Sequence, residues 1–339
     1  MPGVGIPISP TDDVAIGNAA ALSGLLAPSA PSIALASTFT IGATITITPG
    51  AGGGPPVSFA EYADGVATGR TVAATGGAVS YTIVAGDIGP AVTFKAVNAA
   101  GTSAASNSLA YSYASVTAVV DVFEINTLTP GLIATLTGAK AGISLTAAGA
   151  ARPTASATSF NSHPGLAFDG VANILAGTAN LSAYSSLRLV LGMLDATTAL
   201  SVCMELTSNV TAQNGAFNIN VNATAGCVGG NARGTTNFGG CDTPETLAAA
   251  CAMSVCVDTS ITKGCQFIRK NGAALTLTTR TNTCGAGNFA NSTLNLGARS
   301  GALFPWAGTV GGALFIMSGA AQDGDLSDAE AYVAWRAGL

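Results

Sequence analysis

Apolar and polar residues alternate with period two along much of the chain. Ala43-Thr44-Ile45-Thr46-Ile47-Thr48 shows the pattern cleanly and predicts a half-buried strand. A Gly/Pro turn cluster at Gly50–Pro56 follows, then further strands over Val57–Tyr62 and Val79–Ile83 and one with Val92, Phe94 and Ala96 on one face. Turn residues recur every 8–12 positions, and roughly seven short strands in about 80 residues predict a β-sandwich over residues 32–113. From about 126 to 339 the pattern resumes, with strands at Leu187–Leu194, Leu200–Leu206, Ala216–Val221, Met253–Asp258 and Cys265–Arg269. Asn271-Gly272 predicts a tight hairpin, because both residues tolerate positive φ. Residues 114–125 read as a connection or a first strand of this second region. Ser327 and Glu330 have capping-box spacing and predict a closing helix running to Arg336.

The first 31 residues differ from the rest. Five prolines punctuate them, and Thr11-Asp12-Asp13 could cap a short helix over Val14–Leu22. Residues 1–31 therefore read as an arm, either a frayed terminus or a segment that orders on a partner. The overall expectation is an all-β chain: arm, sandwich, linker or first strand, larger sandwich, short C-terminal helix.

Composition narrows the function classes. Of 339 residues only 29 are charged, 12 basic and 17 acidic, and the net charge of −5 argues against a nucleic-acid partner. Mean hydropathy is +0.48, yet no run approaches the ~18 apolar residues of a spanning helix, so no membrane insertion is expected. Met1–Pro7 has no basic segment and is broken by Pro and Gly, which predicts synthesis in a cytoplasm without a standard export signal.

Two family resemblances sharpen the fold expectation. Tyr81 to Gly89, then Phe94 to Ser103, resembles the bacterial and phage immunoglobulin-like repeat, with an Asp87/Gly89 corner and an Asn98/Gly101 turn before the last strand. Phe59–Gly65 also fits, except that Glu61 stands where that family usually has a core Trp. The later region resembles the concanavalin-like, laminin-G-like jelly rolls of phage virion proteins. The matching segments are Gly165–Val171, Arg269–Gly272, Leu294–Arg299, Gly308–Ile316 and Leu326–Glu330. Many relatives follow the Phe-Asp-Gly-Val segment with two acids; Ala172 and Asn173 follow here, which weakens any calcium site carried over.

Little in the sequence supports chemistry. The one histidine, His163, sits in a loop-like Asn-Ser-His-Pro-Gly segment and reads as a turn residue. Cys251 and Cys256 lack zinc-knuckle spacing, and Asp323, Asp325 and Asp328 suit the first turn of a helix as well as they suit a cation. Glu205, Asp195 and Asp258 are the carboxylates that could face each other across a glycosidase cleft. No catalytic, cofactor or metal residue is assigned. The structural assignments are Asp87, Gly89, Asn98, Gly101, Asn271, Gly272, Ser327 and Glu330. All seven cysteines fall within residues 203–284. Cys227–Cys241 and Cys256–Cys265 are candidate disulfides; the alternative is seven reduced, partly buried thiols.

The resemblances and composition together imply a structural protein on the surface of a tailed-phage virion, without enzymatic activity or cofactor. Residues 1–31 would bind other virion proteins of capsid or tail, with the chain in several copies or as a homo-oligomer. The first alternative is a receptor-binding fibre protein that recognises host glycan. The second is a carbohydrate-active enzyme or its accessory module.

Overall fold

The computed structural model describes residues 26–195, 199–222 and 226–339. The all-β reading holds: every sheet is antiparallel, and the one α-helix among the described residues is Asp323–Ala337. The chain divides into two compact units, Met1–Tyr111 and Ser112–Leu339. The predicted helix over Val14–Leu22 and most of the arm lie outside the described residues. Of the arm, Pro28 bridges to Gly53, and Asn98 Nδ2 donates to the Leu26 carbonyl at 2.9 Å.

The first unit packs a three-stranded sheet (Ser32–Leu35, Thr44–Thr48, Val79–Thr82) and a four-stranded sheet (Val66–Ala73, Ser58–Ala63, Val92–Asn98, Gly101–Ala105) around one core. Thr44–Thr48 places Ile45 and Ile47 in that core and its threonines in solvent, as the alternation predicts. Phe59, Ile83, Ile88 and Phe94 fill the remainder. Asn98 Oδ1 accepts from the N–H groups of Ala100 and Gly101, and Gly89 and Gly101 have φ of 116° and 147°, where a Cβ would be strained.

Glu61 is buried in spite of its charge, and its surroundings explain how. Arg70 Nε donates to its Oε2 at 2.5 Å, and the Thr68 hydroxyl donates to the same oxygen at 3.1 Å. Arg70 also pairs with buried Asp87. The Tyr81 hydroxyl and the Val84 N–H donate to Asp87 Oδ2 at 2.7 and 2.9 Å. Burial raises the pKa of Glu61; Arg70 offsets this in part and the nearby Asp87 adds to it. An interior ionic cluster thus occupies the position at which Glu61 departs from the resembled repeat.

The second unit is two nine-stranded sheets enclosing one core. Gly308–Ser318 is central to one sheet and almost wholly buried, because one face meets the other sheet and the other meets the helix. Val119–Glu124 pairs with it, so the second half of residues 114–125 is a strand of this unit. Asn271 and Gly272 have φ of 49° and 79° and form the predicted tight turn.

Two expectations need correction. The helix begins at Asp323, four residues before Ser327, because Asp325 Oδ2 accepts from the Gln322 N–H at 2.9 Å and caps it there. Ser327 instead donates to the Asp323 carbonyl at 2.9 Å, and Glu330 turns inward to accept from the Ser254 hydroxyl at 2.6 Å and Arg269 at 3.0 Å. The candidate disulfides are absent, since all seven cysteines are free. Cys241 lies opposite Gly230, three residues along the strand from Cys227. That offset is about 10 Å, beyond the ~7 Å between Cα atoms that a disulfide spans. Cys265 lies opposite Val257 and faces the core, whereas Cys256 points to the other side of its sheet, 3.6 Å from the Ser186 hydroxyl. Burial pushes the thiols of Cys251 and Cys256 up to about 11 and those of Cys203 and Cys265 further.

Candidate functional site

The candidate site lies on the outer face of one sheet of the second unit. Ala216–Asn222 sends Phe217, Ile219 and Val221 into the core, so Asn218 and Asn220 must point outward. The next strand, Cys227–Arg233, sends Val228 and Ala232 inward and turns Gly229 and Asn231 outward. Register aligns these residues into rows. One runs Asn295, Glu205, Asn218, Asn231, Gly240 across five strands; a second runs Val202, Asn220, Gly229, Asp242. A glycine in each row leaves the floor low. A Cβ at Gly240 would overlap Asn231 Oδ1, and one at Gly229 would overlap Asp242.

Above these rows is a recess of about 240 Å³. Asn218, Asn220 and Asn231 form its floor, and Leu200, Val210, Phe238 and Phe304 supply apolar walls together with Arg280 and Arg299. The volume is small beside the roughly 300–1,000 Å³ of pockets for drug-sized ligands, and suits a single ring.

The floor is a nearly buried amide network. Asn231 Nδ2 donates to Asn218 Oδ1 at 2.6 Å and to Asn220 Oδ1 at 2.9 Å. Asn231 Oδ1 has no partner although the residue is only 3% exposed. That oxygen packs into the place over Gly240 that a Cβ would take, and with the Asn220 amide turned over, the Asn220 oxygen accepts from Arg280 Nη2 at 3.3 Å. A buried oxygen without a partner costs about 1–3 kcal/mol when left dry.

Each wall arginine is anchored from behind. Arg280 grips Asp242 through two nitrogens, its Nε at 2.7 Å from Oδ2. Arg299 Nε donates to Glu205 Oε2 at 2.8 Å, and the Val210 N–H donates to Glu205 Oε1 at 2.7 Å. Burial raises the pKa of Glu205, with Arg299 and the Val210 N–H opposing. Arg299 also lies 4.9 Å from the centre of the Phe304 ring. Phe304 is held there by a loop in which it and Ala302 have φ of 50° and 59°, a left-handed conformation costing of order 1 kcal/mol or more for each such residue.

The carboxylates considered for a cleft are not brought together. Asp195 and Asp258 lie at opposite ends of neighbouring strands, roughly 30 Å apart, with Asp195 accepting from Trp306 Nε1 at 2.7 Å and Asp258 from the Ser260 N–H at 2.8 Å. Glu205 is on the other sheet. His163 follows the Asn161-Ser162 turn, its Nδ1 2.9 Å from the Asn161 carbonyl. None of the residues lining the recess is a site residue predicted from the sequence; Glu205, which holds Arg299, figured there only as a possible cleft carboxylate. The alternation of Phe217 to Val221 signals two outward asparagines, which strands usually avoid.

No family model and no curated protein matches the chain. Among solved structures, it is similar to a Trypanosoma rangeli sialidase (11% identity, TM-score 0.43, 74% of this chain and 43% of that one). It is also similar to the CBM40 domain of a Ruminococcus gnavus sialidase bound to α2,3 sialyllactose (15%, TM-score 0.36, 49% and 95%). A third is domain 4 of a Geobacillus stearothermophilus extracellular arabinanase in complex with arabinotriose (13%, TM-score 0.35, 52% and 81%). At TM-scores below 0.5, none of these likenesses says what this chain binds.

Proposed function

We propose that the chain is a non-enzymatic β-sandwich protein whose second unit binds a small polyhydroxylated ligand of the glycan type. The carrying observation is a recess floored by the amides of Asn218, Asn220 and Asn231 and walled by Arg280, Arg299 and Phe304. A hydroxyl can both donate and accept, so it suits amides on the floor in either orientation. The other lining groups suit the same ligand: amides and guanidinium groups meet hydroxyls, and Phe304 offers a face for the C–H side of a ring. The setting suggested by the sequence resemblance is a virion surface, with residues 1–31 as anchor.

Both tryptophans, Trp306 and Trp335, belong to the second unit. Trp emission therefore follows the melting of that unit alone. A panel of neutral and acidic monosaccharides, added well above a millimolar Kd, is expected to include members that raise this transition by mass action. If no member raises it, the reading is wrong.

A further inference from the structure

We infer that the ligand of this recess carries a carboxylate, and that Arg280 and Arg299 read it. The inference rests on the glycan reading and narrows it to an acidic sugar or a similarly sized polyhydroxylated acid. Two guanidinium groups line the recess and no Asp or Glu does. In a chain with only 12 basic residues, two of them converge on this recess, while the acids that pair with them lie outside its lining.

The acids that hold the arginines do so from one side. Arg299 uses its Nε on Glu205, and neither of its Nη groups has a protein partner among the described residues. Arg280 uses Nε and Nη2 on Asp242, which leaves Nη1. The anchoring fixes the planes of both groups, one against Asp242 and the other against Glu205 and the Phe304 ring. Pre-oriented guanidinium N–H groups match a carboxylate better than they match a lone hydroxyl. The Asn218, Asn220 and Asn231 amides are uncharged and remain for hydroxyls.

The test compares glucuronic and galacturonic acids with glucose and galactose by calorimetric titration of the full chain at low ionic strength. The acids are expected to bind about tenfold tighter or more than their neutral counterparts. Raising the salt should narrow the gap by weakening the acids alone. Arg280→Gln should cut acid affinity about tenfold and neutral-sugar affinity by clearly less, so that the gap between the two classes narrows; an equal loss for both overturns the inference. Equal binding of acids and neutral sugars overturns the carboxylate inference and leaves the glycan reading standing. A preference for the acids that salt does not touch also overturns it. Binding of neither class overturns both. Should Arg280→Gln not fold, the salt series on the unaltered chain decides.

Discussion

The two units each bury a network of polar side chains, and the networks differ in whether they are closed. In the first unit, Glu61, Arg70, Tyr81 and Asp87 satisfy one another, with Thr68 and the Val84 backbone completing the set. In the second, Asn218, Asn220 and Asn231 satisfy one another only in part, and all three line a recess. Buried polar groups are costly unless bonded. A closed network is thus readable as architecture, and an open one over a cavity as a place for something else to bond. Glu61 and Asn231 are nearly equally buried, at 1% and 3%, so burial alone does not separate them.

The largest expected effect tests the closed side. Asp87→Ala strips the acceptor from the Tyr81 hydroxyl and the Val84 N–H and removes a partner of Arg70. It should destabilise the first unit by about 3 kcal/mol. Circular dichroism follows both units, whereas Trp emission follows only the second. The denaturant transition should therefore move in the first signal and stay put in the second. An equal shift in both would mean that the units do not unfold separately, and the comparison would lose its basis.

The open side should respond more weakly in stability and more strongly in binding. Asn231→Ala removes two amide bonds, but its other amide atom had no protein partner to lose. We expect about 1 kcal/mol lost from the Trp-detected transition. Sugar binding should fall at least tenfold, since the variant lacks one of the floor amides proposed to meet the ligand and frees the other two. A variant that loses several kcal/mol yet binds normally would place Asn231 with the architectural group.

The closed network was partly visible in the sequence and the open one hardly at all. Strand alternation reports which residues share a face, and it held for Thr44–Thr48 and for Ala216–Asn222. Asn271-Gly272 carried its own turn geometry. Glu61 stood out because a charge occupied an expected core position, although its partners Arg70 and Asp87 lie 9 and 17 residues away from it or from each other in the chain. The recess depends on register across strands that are distant in sequence: Arg299 meets Glu205 from 94 positions away, and Arg280 meets Asp242 from 38. Alternation fixes faces and says nothing about which strands are neighbours. The same gap explains the cysteines. Cys227 and Cys241 do lie on adjacent strands, but a three-residue offset in register separates them. The helix starts four residues before Ser327 for a local reason: the Asp325 carboxylate accepts from the Gln322 N–H and caps that end.

The smallest expected effect is a pH dependence that distinguishes the units by sign. Burial holds the carboxyl of Glu61 above its usual 4.5 in the folded state, so the folded unit binds that proton more tightly than the unfolded chain does. The stability it contributes is complete below pH 4.5 and is lost as the pH rises through the raised value. Arg70 stays beside the carboxylate and limits the loss, so it should be smaller than the effect of either substitution. Glu205 and Glu330 give the second unit the same slope above 4.5. Asp169 adds the opposite one at lower pH. Burial raises its pKa, but the N–H groups of Val171, Ala172 and Asn173 outweigh this and hold it below the usual 3.8. Its contribution is full above 3.8 and is lost as the pH falls through the lowered value. The Trp-detected stability of the second unit should therefore pass through a maximum near 3.8–4.5. Asp169→Asn should flatten the acid side of that maximum and leave the first unit's slope unchanged. If the acid side persists in the variant, the backbone bonds at Asp169 are not its source.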